Sequence, residues 1–321
     1  MRRYAFIDVA NTKGSAALLG FQIDSQKLYE YLSKNGINHR NTTKIIVAAN
    51  DEEISALETL MMTGKNNGLK GLELITGKRV MELEPEVSAA AGIFIPSTGI
   101  LDTHSLMKNL MNEASAKGAL VSFDSKVTGI EKTMEGYRLT IGEDGYEFVS
   151  GTVINSAGLG SGDIAALAGM DIDKLGYRIY PCKGSYFRSN IKFNINRLIY
   201  PVPSHNVHNL GIHLTIDLTG STRFGPDASY VDEMDYSVNE ASKEGFYNAI
   251  RKYLPSITMD SLYPDTSGIR PKTQCQGGPF RDFVIKEESD NGFPGFINLI
   301  GIESPGLTSC LAIAEFVEKL V

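Results

Sequence analysis

Cysteine is scarce in this sequence. Three cysteines, Cys182, Cys275 and Cys310, occur among 321 residues. They are too few and too widely scattered for a disulfide framework or for a zinc site with paired spacing. We therefore expect three buried thiols, no metal site and a location in the reducing cytoplasm.

The sequence also lacks long apolar runs and a surplus of basic residues. No apolar stretch approaches the ~20 residues that a membrane-spanning helix needs, and residues 1–10 hold no apolar segment long enough for a signal peptide. A net charge of -7, without any long run of like charges, argues against a nucleic-acid partner. None of these features excludes association with a membrane surface, which stays open.

The composition that remains is typical of a globular protein with mixed secondary structure. With 42 % hydrophobic and 21 % charged residues, the chain can bury a large core, as two domains or as one domain with an elaborate insertion. No internal repeat or low-complexity segment is present. Apolar spacing and capping residues predict helices over 23–36, 51–68, 102–119 and 238–255. Strands are predicted over 42–50, 120–132, 137–142 and 146–158, with short antiparallel strands over 177–230.

Residues 297–321 combine an apolar strand, a glycine loop and a helix. Residues 297–300 are the strand, Gly301 and Gly306 break the backbone, and residues 307–321 carry apolar side chains at helical spacing. The free N–H groups and the positive dipole end of such a helix favour an electron-rich or anionic ligand. The alternative is an ordinary strand, turn and amphipathic helix.

A second glycine-containing stretch occupies residues 151–169. Val153 and Ile154 predict a buried strand, and small residues after it allow close approach of a neighbour or ligand. The glycines do not match G-x-G-x-x-G, because the third one comes a residue too early, and no acidic residue closes a second strand roughly 20 residues later. Taken alone, this stretch indicates plain turn chemistry.

Several sequence blocks, taken in order, resemble one family of flavoproteins. The blocks read VINSAGLGSGDIAALAG, YPCKGSYF, LIYPVP, LGIHLTIDLTGSTRFGPDA, SGIRPK, DFVI and LIGIESPGLTSCLAIAEFV. Together with stretches at 14–48, 72–87 and 96–110, they resemble the FAD-dependent L-2-hydroxyglutarate dehydrogenase and oxidase family, within the larger group of D-amino-acid-oxidase-like flavoproteins. The resemblance implies an FAD cofactor, a small 2-hydroxy acid substrate such as L-2-hydroxyglutarate, and an electron acceptor that the sequence does not identify.

The resemblance also implies an α/β fold made of two interleaved parts. An incomplete, Rossmann-like FAD-binding domain would comprise residues 100–172 and 293–321. A substrate domain of α+β type, built on a mixed and largely antiparallel sheet, would comprise residues 1–99 and 173–292. We expect the strand at 297–300 to lie parallel to the strand at 152–155, since both lead into glycine turns at a ligand crevice.

By resemblance, two segments contact the flavin. In the family, the loop that matches Gly301 to Thr308 wraps the flavin, and a helix beginning near Gly306 points at the pyrimidine edge of the ring, where its dipole stabilises negative charge. The small residues after the earlier strand lie against the dinucleotide. The expected cofactor contacts are Val127, Ser156, Ala157, Gly158, Gly301, Ile302, Glu303, Ser304, Pro305, Gly306, Leu307 and Thr308.

Arg270, in the GIRP motif, is the expected anchor for the substrate carboxylate. Its planar fork offers two parallel hydrogen bonds to a carboxylate, although a surface or structural ion pair is the alternative. His213, at alternating spacing on a strand, is the candidate base for the hydroxyl proton, or else a satisfied sheet histidine. Weaker candidates near the flavin are Tyr186, Lys183 and Lys272.

The N-terminal residues depart from the family pattern. Family members begin with a strand, a G-x-G-x-x-G turn and a helix, followed by an acid for the ribose, and carry a histidine in an HAG segment. The residues before Gly14 read MRRYAFIDVANTK and contain neither feature. We therefore expect weak FAD binding by this chain alone, with the missing unit supplied by a second chain or by further residues.

Three interpretations of function follow. The chain is a flavoenzyme for a 2-hydroxy acid, a non-catalytic homologue that acts as a binding or scaffold protein, or a flavoprotein for an amino acid or glycerol phosphate.

Among the other histidines, His104 is expected at a helix start. His39, His205 and His208 are expected to be solvent-exposed, because they lie in polar contexts.

Overall fold

The computed structural model describes residues 4–7, 25–203 and 211–321. His205, His208 and the stretch around Gly14 lie outside these residues. The described helices are α1 (Ser25–Lys34), α2 (Ile54–Asn66), α3 (Gly77–Leu83), α4 (Thr103–Ala116), α5 (Ser161–Leu167), α6 (Ile172–Leu175), α7 (Lys243–Ile250) and α8 (Cys310–Glu318). No helix among the described residues is long and apolar enough to cross a membrane.

The described strands make one large sheet and three small ones. They are β1 (Tyr4–Ile7), β2 (His39–Asn41), β3 (Lys44–Ala48), β4 (Glu73–Thr76), β5 (Ala91–Ile95), β6 (Gly99–Asp102), β7 (Val127–Thr133), β8 (Gly136–Ile141), β9 (Tyr146–Ser150), β10 (Val153–Asn155), β11 (Tyr180–Ser189), β12 (Leu198–Pro201), β13 (Leu214–Ile216), β14 (Thr222–Phe224), β15 (Ser229–Tyr230), β16 (Leu262–Lys272), β17 (Val284–Glu288) and β18 (Phe293–Ile300). The small sheets run in the orders β1-β6-β2, β7-β8-β9 and β10-β18-β17.

The large sheet runs in the order β15-β11-β14-β13-β12-β3-β5-β4, and β16 pairs with β11. Only β12 and β3 are parallel neighbours among its described pairs, so the expected mixed, largely antiparallel sheet is confirmed. Phe187 lies opposite Phe224, which lies opposite Leu214, so these side chains share one face. Phe246 of α7 packs on Phe187 at a ring distance of 4.5 Å, and this face is the main hydrophobic core.

Strand β10 pairs in parallel with β18, with Val153 opposite Phe296 and Asn155 opposite Asn298. This pairing confirms the expected parallel neighbours. Strand β17 adds to the other edge of β18 in antiparallel orientation, although it belongs to the segment 173–292 that we assigned to the substrate domain. The division into domains stays a prediction.

A buried polar network lies below the two parallel strands. Asn155 Nδ2 donates to Asn298 Oδ1 at 2.8 Å, and Asn298 Nδ2 donates to Glu288 Oε1 at 2.8 Å. Tyr177 Oη donates to the same Glu288 oxygen at 2.7 Å, and burial raises the pKa of Tyr177. Because each buried group has a partner, the network joins β10, β17 and β18 to the segment after α6.

Some element boundaries differ from the predictions. The strand predicted over 120–132 begins only at Val127, because the residues before it are exposed and pair with no described strand. The helix predicted over 238–255 is confined to α7, since a 3-10 turn precedes it and Pro255 follows. The C-terminal helix begins at Cys310 instead of near Gly306. The Gly306 and Cys310 N–H groups bond the carbonyls three residues back, those of Glu303 and Leu307, so the residues before Cys310 form turns.

Single residues differ as well. Cys182 is buried as expected, but Cys275 is exposed and Cys310 is half-buried. His39 is half-buried, because its ring packs near Tyr29 and its Nδ1 lies 2.7 Å from the Ile37 carbonyl.

Candidate active site

The face of the large sheet opposite the main core carries polar side chains. Successive residues of a strand point to opposite faces, so the neighbours of the core residues Phe187, Leu214 and Phe224 point away from the core. These neighbours include Tyr186, His213 and Arg223. We call this surface the polar face of the sheet.

Arg270 of β16 lies on the polar face and reaches over β11. It pairs with Cys182, and a β-carbon on Gly184 would lie only 3.2 Å from Arg270 Nη2. The absence of a side chain at Gly184 therefore gives the guanidinium its place. Within residues 4–7, 25–203 and 211–321, no carboxylate forms an ion pair with Arg270.

Tyr186 lies between two arginines on the polar face. Burial raises the pKa of Tyr186, the positive charges of Arg270 and Arg223 lower it, and Asp227 raises it. The raised pKa keeps the phenol protonated near neutral pH, so Tyr186 can donate a hydrogen bond to an anion.

Lys272 is neutralised by the predicted flavin loop. Its Nζ lies 2.7 Å from Glu303 Oε1, and both side chains are largely buried. A Lys272 ammonium paired in this way connects the end of β16 to the loop of residues 301–308. The sequence did not predict this pair, because Glu303 and Lys272 are far apart along the chain. Only the folded arrangement of β16 and the loop after β18 brings them together.

Lys183 lies away from the site. It is opposite Ile269 in the β11–β16 register, one residue out of phase with Arg270, so the two side chains point to opposite faces. Its Nζ forms an ion pair with Asp235 at 3.2 Å. Lys183 therefore lies on the opposite face from Arg270, and its candidacy as a pocket residue stays a prediction.

His213 directly precedes β13 and is buried. Its ring stacks on Tyr200 with centroids 3.6 Å apart and an interplanar angle of 10°, and Lys44 Nζ lies 4.6 Å from the Tyr200 ring centre. Its carbonyl accepts the Gly225 N–H at 2.9 Å. Three strand spacings across the sheet and an offset of four residues along β11 separate its backbone from that of Arg270, which is roughly 19 Å. His213 and Arg270 thus share a face at opposite sides of Tyr186.

A cavity of about 1030 Å³ extends from Tyr186 along the polar face to the turn between β13 and β14. Its lining includes Arg188, Lys192, Asp217, Arg223, Asp265 and Gly268. Arg223 Nε and Asp265 Oδ2 form an ion pair across it. No motif in the sequence singled out either residue, although the alternation of Arg223 with the buried Phe224 indicates that the Arg223 side chain points away from the core.

The expected cofactor segments follow the two parallel strands. Ser156 and Ala157 are exposed after β10, and a β-carbon on Gly158 would meet no atom within 4 Å, so open space adjoins this turn. The turn contacts β16. The loop of residues 301–308 follows β18, where a β-carbon on Gly301 would press on Thr273. The loop therefore lies next to the end of β16 that carries Arg270, and the turn contacts the same strand.

Val127, the remaining expected contact, begins β7 and is half-buried against a second hydrophobic cluster. Among the described residues, no group of three or more histidine, cysteine, aspartate or glutamate side chains is arranged to hold a metal ion.

Comparison with protein families decides the class of the protein. The family model described as FAD dependent oxidoreductase matches residues 5–320. The chain belongs to this family. The family resemblance, the fold class and the FAD cofactor expected from the sequence are thereby confirmed.

Curated relatives of this FAD-dependent oxidoreductase include several L-2-hydroxyglutarate dehydrogenases. The mitochondrial enzyme of Arabidopsis thaliana is 37 % identical over 336 residues, which span 90 % of this chain and 68 % of the relative. The mitochondrial enzyme of Homo sapiens is 28 % identical over 90 % of this chain and 72 % of its own length. The enzyme of Escherichia coli strain K12 is 25 % identical over 90 % and 75 %.

Solved structures show the same fold. An L-alpha-glycerophosphate oxidase from Mycoplasma pneumoniae, with FAD bound, aligns with a TM-score of 0.85 and 23 % identity over 99 % of this chain and 83 % of that one. A glycine oxidase from Geobacillus kaustophilus aligns with a TM-score of 0.76 and 18 % identity over 98 % and 82 %.

The described residues that follow β10 and β18 fit the flavin ring of FAD. The open space beside Gly158 and the exposed Ser156 and Ala157 leave room for a flat ligand at the carboxyl ends of two parallel strands, where open α/β sheets bind ligands. The loop after β18 closes this crevice beside Lys272 and Arg270. Hydride acceptance is the chemistry that FAD bound there supplies.

Proposed function

We propose that the chain oxidises a 2-hydroxy acid, with L-2-hydroxyglutarate as the first candidate. The observation that carries this proposal is Arg270, a half-buried guanidinium that has no acidic partner among the described residues and lies beside the flavin crevice. Lys272, by contrast, has Glu303 as its partner. The similarity to several L-2-hydroxyglutarate dehydrogenases supports the same substrate.

Arg270 and Tyr186 bind and orient the substrate. The guanidinium donates two parallel hydrogen bonds to the carboxylate on C1, and the protonated phenol of Tyr186 donates a further one. Because Arg270 lies over Gly184, the bound carboxylate is placed between β11 and the flavin loop. This orientation directs C2 toward the crevice.

For the hydroxyl proton, His213 is the candidate that the sequence motif offers, on the far side of Tyr186 from Arg270. An imidazole nitrogen near neutral pH suits this role, and the stack on Tyr200 holds the ring in one orientation. FAD held in the crevice would accept the C2 hydride, and His213 would hold the hydroxyl proton, so the product would be a 2-oxo acid.

Product analysis tests the proposal. The FAD-loaded protein, incubated with L-2-hydroxyglutarate and an artificial electron acceptor, is expected to form 2-oxoglutarate in step with acceptor reduction. The D enantiomer serves as the control and is expected to give no product. Equal product from both enantiomers, or none from either, would contradict the proposed function.

A further inference from the structure

Two guanidinium groups lie over β11 on the polar face, one on each side of the Tyr186 ring. Arg270 reaches over Gly184. Arg223 extends from β14, which is the neighbour of β11 on the other side, and its partner Asp265 is on β16. An ion pair between β14 and β16 must cross β11, so the Arg223 guanidinium lies over that strand.

The strand register places this crossing near Tyr186. Ser267 lies opposite Ser185 and Pro264 lies opposite Phe187, so Asp265 falls beside the irregularity at Tyr186. Both arginines also act on the pKa of the Tyr186 hydroxyl. The two guanidinium groups are therefore about as far apart as Gly184 and Tyr186, which as residues i and i+2 of a strand are roughly 7 Å apart.

Arg223 still has donors to offer. Its Nε faces Asp265 Oδ2, and Asp265 is 6 % exposed at its side chain. Neither terminal amino group of Arg223 has an acceptor within the described part of the chain. Asp265 therefore orients the guanidinium with its terminal fork free, and the fork lines the cavity of about 1030 Å³.

The spacing matches a five-carbon dicarboxylate. Four C–C bonds of about 1.5 Å separate the two carboxyl carbons by about 5 Å in the extended form, so a substrate that lies across the two forks meets one guanidinium with each carboxylate. A single carboxylate would use only one of the two guanidinium groups. The cavity charges also favour an anion, because Arg188, Lys192 and Arg223 outnumber Asp217 and Asp265.

We propose that Arg223 binds the distal carboxylate of the substrate and so selects dicarboxylic over monocarboxylic 2-hydroxy acids. This inference rests on the proposed function, in which Arg270 binds the carboxylate on C1. Asp265 is a positioning residue that holds the Arg223 fork toward the cavity.

The test compares two substrates that differ only at the distal end, L-2-hydroxyglutarate and L-2-hydroxyvalerate. In Arg223→Gln, KM for L-2-hydroxyglutarate is expected to rise about 10- to 100-fold, because charge-assisted hydrogen bonds are lost, while KM for L-2-hydroxyvalerate changes less than about threefold. Arg138→Gln is the control, since Arg138 pairs with Glu131 on the exposed surface of β8, outside the cavity. It is expected to change neither KM by more than about threefold. An equal rise for both substrates in Arg223→Gln would overturn the distal site and leave the proposed function standing.

A binding measurement separates this inference from turnover. Calorimetric titration with glutarate, which lacks the hydroxyl group, is expected to show about 10-fold or greater weakening in Arg223→Gln and in Arg223→Lys. The lysine variant keeps the charge beside Asp265, and hence the fold, but has no fork. Unchanged glutarate affinity in the lysine variant overturns the proposal, whatever the turnover results.

Discussion

At the scale of single residues, the basic side chains around the site differ in whether an acidic side chain neutralises them. Lys183 is paired with Asp235, and Lys272 with Glu303. Arg270 has no such partner in the described part of the chain. A half-buried guanidinium without an acid is desolvated at a cost that a substrate carboxylate offsets.

Replacing Arg270 tests its role directly. Arg270→Lys keeps the charge but loses the planar fork, so substrate binding is expected to weaken by about 1 to 3 kcal/mol, seen as a higher KM for L-2-hydroxyglutarate at unchanged flavin content. Arg178→Lys is the control, because Arg178 pairs with Asp173 on the exposed surface. A normal KM in the Arg270 variant would retire this residue as the anchor.

His213→Gln tests the proton acceptor. Turnover is expected to fall on the order of 10²-fold or more, with a smaller change in substrate affinity, because a general base contributes about that much. The comparison variant is His39→Gln. His39 is on β2, and its imidazole lies near Tyr29. Stopped-flow flavin reduction gives both constants, and unaltered turnover in His213→Gln would assign proton removal to another group.

The sequence predicted residues that belong to a local motif and missed those that depend on register. Arg270 and His213 stand in recognisable stretches, and both lie on the polar face. The partnership of Arg223 with Asp265 depends on how β14, β11 and β16 pair, with an irregularity at Tyr186. No pattern in the sequence encodes that irregularity.

At the scale of elements, the parallel pair of β10 and β18 was predictable, because each is a short apolar strand that runs into glycines. The polar network under the pair was not. Asn298 reads as an ordinary strand residue, and its partner Glu288 ends a strand that the sequence analysis did not assign.

Removing Glu288 should destabilise this part of the fold. Glu288→Ala leaves the buried Asn298 amide and the Tyr177 hydroxyl without their shared acceptor, so the free energy of unfolding is expected to fall by about 3 kcal/mol. Glu131→Ala is the control, because its ion pair with Arg138 is exposed and worth less than about 1 kcal/mol. Urea unfolding measures the free energy of unfolding of both variants. Equal losses would show that the buried network does not stabilise this part of the fold.

The late start of α8 shows a limit of periodicity. Apolar spacing begins at Leu307, but the Gly306 and Cys310 N–H groups bond carbonyls three residues back and form turns before the helix. Apolar spacing shows which side chains face the core, and it does not distinguish such turns from the first turn of a helix.

At the scale of the whole molecule, the polar face of the large sheet and the ends of β10 and β18 meet at β16. The turn after β10 contacts β16, and Glu303 after β18 bonds Lys272 at the end of β16. The polar face around Arg270 and the crevice at the ends of β10 and β18 are therefore adjacent, as the proposed oxidation of a hydroxy acid requires. The cytoplasmic location expected from the sequence stays a prediction.

The most direct test of the central claim is anaerobic reduction of the flavin at saturating FAD, followed by its absorbance. L-2-hydroxyglutarate is expected to bleach the flavin faster than lactate, glycerol phosphate or D-amino acids, because only a substrate with both carboxylates engages Arg270 and Arg223 together. Faster bleaching by an amino acid or by glycerol phosphate would contradict the account and assign the site to a different oxidation.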